Sequence, residues 1–256
     1  MRVVSWNLAA GTTSRSAGIH DRAWRYLEEL DPDLALLQEV VPPDWARERA
    51  DWRLVHRPFV RWVTAILARA PLRLVELEGP ADGELDAMGH LAAAELGLPG
   101  GASMLVGSVH TPIGEASRSQ LGGRDPELVR TARYQVPFKR DAAYAVFRDR
   151  TSDRRFIVGG DWSTSRLWDE LHDGTSEVDF FERAQGDGWV ECYRRFHPSE
   201  GQTWFRSDEP PYQLDHVFCD PATGALMLSC EIDQRPAKEL RLSDHAPLVI
   251  EFAAPT

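Results

Sequence analysis

Cysteine is scarce in this chain. Its three residues, Cys192, Cys219 and Cys230, are odd in number, scattered and without a C-x-x-C pair. That argues against a disulfide framework or a cysteine zinc site and leaves buried free thiols as the expectation. Long apolar runs are also missing, so no membrane span is expected. The opening residues, Met1-Arg2-Val3-Val4-Ser5-Trp6-Asn7, enter a strand pattern with no apolar signal core or cleavage site, which reads as a soluble, cytoplasmic protein. Basic residues are outnumbered, 29 Lys and Arg against 40 Asp and Glu, for a net charge of −11. The field of such a protein repels a polyanion and argues against non-specific coating of nucleic acid. It leaves room for a nuclease, because acids gathered around a divalent cation add formal negative charge where phosphate must bind. Several motifs are absent as well: no G-x-S-x-G nucleophile elbow, although Ser163 and Ser165 lie near Asp161; no H-E-x-x-H zinc motif; no Walker-type phosphate loop.

What is present is enough for a large core: 256 residues, 43% of them apolar. No internal repeat, linker or charge block divides the chain, so residues 1–256 read as a single domain, with 111–135 a loop upon it. Strand patterns fall at Arg2–Trp6, Leu34–Gln38, Trp52–His56, Val63–Ala68, Leu72–Leu77, Leu91–Glu95, Met104–Val109, Arg155–Val158, Leu214–Phe218, Ala225–Ile232 and Pro247–Phe252. Helical spacing marks His20–Leu30, Asp125–Arg148 with an interruption near Pro137, Ser165–Leu171 and Glu177–Gln185. Strands follow one another through the middle while helices cluster elsewhere. This predicts an α/β (α+β) chain built on two packed mixed sheets with helices outside, not a regular doubly wound alternation.

Polar residues suited to metal and phosphate chemistry recur at the ends of these strands: Asn7, Glu39, His110 and Asp161, then Asp215-His216 in "YQLDHVF" and Asp244-His245 in "LSDHAPLVI". Each alone has an ordinary explanation as a cap, a turn residue, a surface acid or a half-buried histidine. Their repetition is the signal. Magnesium is satisfied by one or two carboxylates and an amide, which Glu39, Asn7 and Asp244 could supply. A basic histidine needs a carboxylate on its other ring nitrogen, as Asp215 could provide for His245. His110 could then donate to a phosphate oxygen.

The ordered series "SWNL", "LLQEV", "GSVHTP", "VGGDWS", "YQLDHVF" and "LSDHAPL" resembles the endonuclease/exonuclease/phosphatase (DNase I-like) superfamily, in the superfamily's own order and across residues 5 to 247. The resemblance implies a four-layered sandwich of two central mixed β-sheets flanked by helices, and a phosphoesterase dependent on Mg²⁺ or Mn²⁺. Carried over, Glu39 is the principal metal ligand with Asn7 beside it and Asp244 near the metal. Asp161 orients or deprotonates the attacking water, or helps to hold a second metal. Asp215 and His245 form an Asp–His pair whose histidine acts either as base or as a phosphate contact, and His110 is the phosphate-binding histidine. Two positions depart from the pattern. Ser163 stands where G-D-x-N normally places an asparagine that contacts the scissile phosphate; a serine hydroxyl reaches less far than an amide. Thr164, Ser165 or an arginine from 118–140 could fill that gap. Ala9 stands where abasic-site nucleases tend to carry an acid.

The substrate is read from weaker signals. Arg118, Arg124, Arg130, Arg133, Lys139 and Arg140, with Tyr134 and Phe138 among them, could line an anionic cleft in which Tyr134 stacks on a base, or form the solvated face of an amphipathic helix. Trp204, ahead of the Asp215 strand, is a second aromatic candidate. Three functions follow: a nuclease cutting DNA or RNA; a phosphatase or phosphodiesterase for a small or lipid-linked phosphate, favoured by the net acidity; and a binding protein on a weakened phosphoesterase scaffold, supported only by Ser163.

Overall fold

The computed structural model describes residues 1–10, 17–58, 63–77, 90–115, 138–151, 153–206 and 209–253. Among the described residues, twelve strands form two six-stranded sheets. The first sheet has the order β11 (Met227–Ile232), β12 (Leu248–Phe252), β1 (Arg2–Asn7), β2 (Leu34–Val40), β4 (Val63–Arg69), β3 (Trp52–Pro58). The second runs β5 (Arg73–Glu76), β6 (Leu91–Gly97), β7 (Ser103–His110), β8 (Phe156–Asp161), β10 (Asp215–Cys219), β9 (Val190–Glu191). Both sheets are mixed in the same way. A parallel pair, β1 with β2 or β7 with β8, sits at the centre, and antiparallel strands flank it.

Alternation along the strands builds the layers. Val3, Leu34 and Leu36 point between the sheets, where they meet Val106, Ile157, Val217 and Ile250. Their neighbours Val4, Ala35 and Leu37 point the other way, onto Ala23, Trp24 and Leu27 of helix α1 (Ala17–Glu29). On the far side of the second sheet, Leu105, Val158 and Phe218 pack against Ala143, Phe147 and Phe180 from the helices Lys139–Thr151 and Ser176–Gly186. Side-chain period 2 on the strands and an apolar stripe on each helix produce the helix–sheet–sheet–helix sandwich read from the sequence.

Two glycines let the sheets close at the middle. A Cβ on Gly159 would stand 2.6 Å from Val217 Cγ2, and one on Gly160, at φ +147°, would stand 2.0 Å from the Val109 carbonyl oxygen. The Gly-Gly that precedes Asp161 is therefore required by a close approach of strands. Between the same strands and the facing sheet, Gln38 Nε2 donates to Ser108 Oγ at 2.8 Å, and Ser108 Oγ donates to the Leu37 carbonyl at 2.9 Å.

All eleven expected strands form within a few residues of their places. The two-residue strand β9 and the one-turn helices Asp44–Arg47, Pro221–Gly224 and Arg235–Lys238 were not expected. They are too short to carry a periodic pattern. Of the long helix expected at 125–148, the described part begins at Lys139 and runs to Thr151. The cysteines are free and buried, with Cys192 Sγ 3.8 Å from Cys219 Sγ. Among the described residues no helix is long and apolar enough to cross a membrane.

Candidate active site

The topology brings the chemistry to one edge. The C-terminal ends of both central parallel pairs carry Asn7, Glu39, His110 and Asp161, while β10 and β12, running antiparallel to them, begin at the same edge with Asp215 and just after His245. Asp161 is the Cα partner of His110 on one side and of Asp215 on the other.

Asn7 is fully buried and its amide joins two acids. Nδ2 donates to Glu39 Oε1 at 3.2 Å and to Asp161 Oδ2 at 3.0 Å, while Oδ1 accepts the Ala9 N–H at 2.9 Å. In this arrangement Asn7 ties the two carboxylates together while its oxygen is engaged by the backbone. Ser243 Oγ donates to the Asn7 carbonyl at 2.6 Å and accepts the His245 N–H at 3.0 Å, tying the "LSDH" loop to the end of β1.

Glu39 reaches the mouth through a backbone irregularity. Strict alternation would send it to the helix side of the sheet, since Gln38 before it points between the sheets. Instead the β2–β4 register shifts between Leu37 and Val40, and Glu39 adopts φ +47°. A bulge re-aims one side chain at the cost of local strain. The Glu39 side chain keeps 17% exposure, with its Oε1 3.5 Å from His110 Nε2.

Asp161 accepts from Asn7 at one oxygen and from the Ser163 N–H at the other, 2.9 Å, with Ser163 Oγ at 3.3 Å. Ser163 sits at φ +48°, a left-handed turn. His110 Nε2 and His245 Nε2 each lie 3.8 Å from Asp161 Oδ2. The His90 ring centre stands 6.3 Å from that of His110, and its carbonyl accepts the His110 N–H at 2.8 Å. Burial, then the neighbouring His110 and Lys139, push the His90 imidazole down to about 4, so it is neutral. His90 belongs to no motif of the sequence; it lies just ahead of β6, and its backbone bond to His110 at the end of β7 brings it here.

His245 Nδ1 lies 2.8 Å from Asp215 Oδ2, and Asp215 is fully buried. Thr203 Oγ1 accepts the Asp215 N–H at 3.1 Å. Burial alone would lower the His245 pKa, but Asp215, Asp161 and Asp244 together push it up to about 10. Burial also pushes the Asp215 carboxyl above its usual range. With three acids facing one imidazole, the shared proton stays on His245. Asp244 is half-buried; it acts on His245 through its charge, and its carbonyl accepts the Phe205 N–H at 2.7 Å.

Trp204 forms a bridge with His245 and lies beside Tyr212, ring centres 6.4 Å apart at 27°. Arg118 and Tyr134, with Arg124, Arg130 and Arg133, lie outside the described residues. Three groups offered for the missing amide are committed elsewhere. Thr164 Oγ1 is bound to Glu177 and accepts from Arg140 Nη1 at 2.9 Å. Arg140 is itself buried and paired with Glu177. Ser165 Oγ donates to Glu200 at 2.6 Å.

Among the described residues no three His, Cys, Asp or Glu side chains are grouped to enclose a metal. The donor set nevertheless suits a hard divalent cation: two carboxylates share a single amide donor group, and one of them, Glu39, opens to the cleft. Mg²⁺ keeps most of its waters and needs few protein oxygens.

A sandwich of two mixed sheets with carboxylates and histidines at one edge defines a phosphoesterase of the DNase I-like class. The sequence matches the endonuclease/exonuclease/phosphatase family over residues 4–245, and the chain belongs to that family of phosphoric ester hydrolases. None of the curated proteins matches it. Among solved structures, it superposes with a TM-score of 0.71 on the 3′ phosphatase NExo from Neisseria bound to product DNA hairpin, at 20% identity and covering 99% of both chains. The AP endonuclease LMAP from Leishmania major gives 0.66 at 14% identity, covering 99% of this chain and 88% of that one. An AP endonuclease from Archaeoglobus fulgidus gives 0.66 at 16%, covering 98% and 99%. At these identities the likeness is one of fold.

Proposed function

We propose that the chain, as a single domain over residues 1–256, is a divalent-metal-dependent nuclease that hydrolyses phosphodiesters in DNA or RNA. The observation that carries this reading is the convergence on Asp161: the Asn7 amide at 3.0 Å, His245 Nε2 at 3.8 Å, and the Asp215–His245 pair behind at 2.8 Å. Of these acids, Asp161 meets the amide clamp and both histidines, which supports a role in orienting the attacking water. Protonated His245 donates from Nε2 to a phosphoryl oxygen, and Asp215 fixes its ring through Nδ1. His110 stands ready as a second donor where charge grows on phosphorus. Glu39 would hold Mg²⁺ or Mn²⁺, with Asp244 contributing charge nearby; such an ion acts as a Lewis acid on the phosphoryl oxygens. Ser163 meets Asp161 through its N–H at 2.9 Å and through Oγ at the longer 3.3 Å, which supports the backbone N–H as the firmer hold on that acid. Trp204, next to His245, would border the bound nucleotide.

The test is cleavage of plasmid and of labelled single-stranded DNA and RNA with Mg²⁺ or Mn²⁺, with EDTA and folded His245→Ala as controls. Metal-dependent cutting that the variant lacks is the expected result, and wild-type rates from His245→Ala would overturn the assignment. The net charge of −11 favours one second reading, a phosphatase or phosphodiesterase for a small or lipid-linked phosphate. Absence of cutting by folded wild-type protein, with turnover of such an ester, would select it.

A further inference from the structure

His216 is fully buried beside Asp215, yet both nitrogens of its ring have polar partners. Nε2 lies 3.0 Å from the Thr164 carbonyl and 3.0 Å from the Gln213 carbonyl. Nδ1 lies 3.0 Å from Glu191 Oε1. Carbonyl and carboxylate oxygens only accept, so both ring nitrogens must carry protons. Gln213 Nε2, 3.2 Å from Nδ1, therefore does not donate to it and is satisfied by the Asp215 carbonyl at 3.2 Å. The second Glu191 oxygen takes Arg166 Nη2 at 2.7 Å.

The two carbonyls belong to the segments that carry the two acids. Thr164 follows Asp161 closely in the chain, and Gln213 shortly precedes Asp215. Other contacts reinforce the junction: Trp162 N–H donates to the Leu214 carbonyl at 3.0 Å, and Trp162 Nε1 to the His216 carbonyl at 3.2 Å. The geometry points to His216 as a positioning residue, a doubly protonated ring that clamps the Asp161 and Asp215 segments together and is kept in that state by Glu191. This rests on the catalytic roles assigned above to Asp161 and Asp215.

Removing one charge separates the clamp from mere packing. In Glu191→Gln the shape is kept, but the charge that holds the second proton on the ring is gone. The amide at 191 can turn its NH₂ to Nδ1, so a neutral ring keeps its Nε2–H on the Thr164 and Gln213 carbonyls, but as a neutral donor in place of a charge-assisted one, which is roughly twice as strong. The clamp is loosened. Sub-ångström displacement of Asp161 against Asp215 then lowers kcat while substrate still binds.

The experiment has two arms on the full chain at neutral pH. In the first, ¹⁵N spectra of ring-labelled protein report the His216 protonation state, and backbone amide shifts report residues 161–164 and 213–216, both without any substrate. Wild type should show a doubly protonated ring. Glu191→Gln should show a singly protonated ring with shifts in both segments. In the second arm, kcat should fall on the order of 10- to 100-fold with KM nearly unchanged, whereas Glu191→Asp, which retains the charge, should recover part of the rate. A neutral His216 ring in wild type, a doubly protonated one in Glu191→Gln, or unmoved segments would overturn the clamp whether or not the enzyme turns over the chosen substrate. Inactive wild-type protein that passes the first arm would instead count against the proposed reaction.

Discussion

Asp161 and Asp215 are direct cross-strand partners, on antiparallel β8 and β10, and they are held by different hands. Asp161 is bound by the Asn7 amide and the Ser163 N–H; Asp215 is bound to the His245 ring. One acid is thereby left with an oxygen facing two histidines, and the other is consumed in orienting one of them.

That division predicts separate losses. Asp161→Asn and His245→Ala should each reduce kcat by on the order of 10²–10⁴-fold. Circular dichroism and the thermal midpoint should report an intact fold. A folded variant of either kind that turns over at the wild-type rate would remove it from the mechanism.

Glu39 owes its direction to the bulge in β2 and keeps a partial exposure at the cleft. Glu39→Ala should lose most of the thermal stabilisation that Mg²⁺ or Mn²⁺ gives the wild-type protein, because binding to the native state alone raises its stability. Titrating the midpoint against metal concentration for both proteins checks this without any assay of turnover.

Ser163 occupies a left-handed conformation that asparagine adopts with little strain. Ser163→Asn should therefore fold normally and add an amide donor at the rim of the site. An increase in kcat of about tenfold is the expected outcome, below the ~10²–10³ of a fully preorganised donor. A decrease would mean the serine hydroxyl is needed to hold Asp161.

Arg140 and Glu177 form a buried ion pair joined to Thr164, in the segment that follows Asp161. Glu177→Leu leaves a buried guanidinium without its main partner and should cost about 3–5 kcal/mol. Arg140→Met combined with Glu177→Leu should recover much of that loss. Urea denaturation of the two variants measures the difference, and equal stabilities would contradict the coupling.

The Glu191–His216 pair gives stability a pH window. Burial alone would lower the His216 pKa, but Glu191 and Glu200 raise it. Burial alone would raise the Glu191 pKa, but His216 and Arg166 lower it. The histidine contribution is full below its ordinary value of about 6.5 and is lost as pH rises through the raised folded value. The glutamate contribution is full above its ordinary value of about 4.3 and is lost as pH falls through the lowered folded value. The stability gap between wild type and Glu191→Gln should be greatest between those limits and shrink on both sides. A gap that does not vary with pH would exclude the linkage.

The particular residues show how far the sequence reading extends. The strand-end positions of Asn7, Glu39, His110, Asp161 and Asp215 were legible because β-strands announce themselves by short apolar runs bounded by turn residues. The pairing of Asp215 with His245 was legible from the chemistry a base requires. Glu39 was identified as an acid at a strand end, but its aim was not, since a bulge and one positive φ leave no periodic trace. Thr164, Ser165 and Arg140 looked available as phosphate donors because their partners, Glu177 and Glu200, come from distant segments. His216 read with Asp215 as a strand-end group for metal and phosphate chemistry, because its partners Glu191 and Thr164 are also distant in the chain.

The sequence by itself determined the two-sheet sandwich, the edge at which chemistry would gather and the family, because alternation, strand-end polarity and motif order are local properties of the chain. Only the tertiary structure decided which of those polar groups face the cleft and which are used up beneath it. A hydrogen bond between residues 154 positions apart, as from Asn7 to Asp161, or 30 apart, as from His245 to Asp215, depends on sheet order and register. Those are set by the packing of both sheets at once, and no single stretch of sequence contains them.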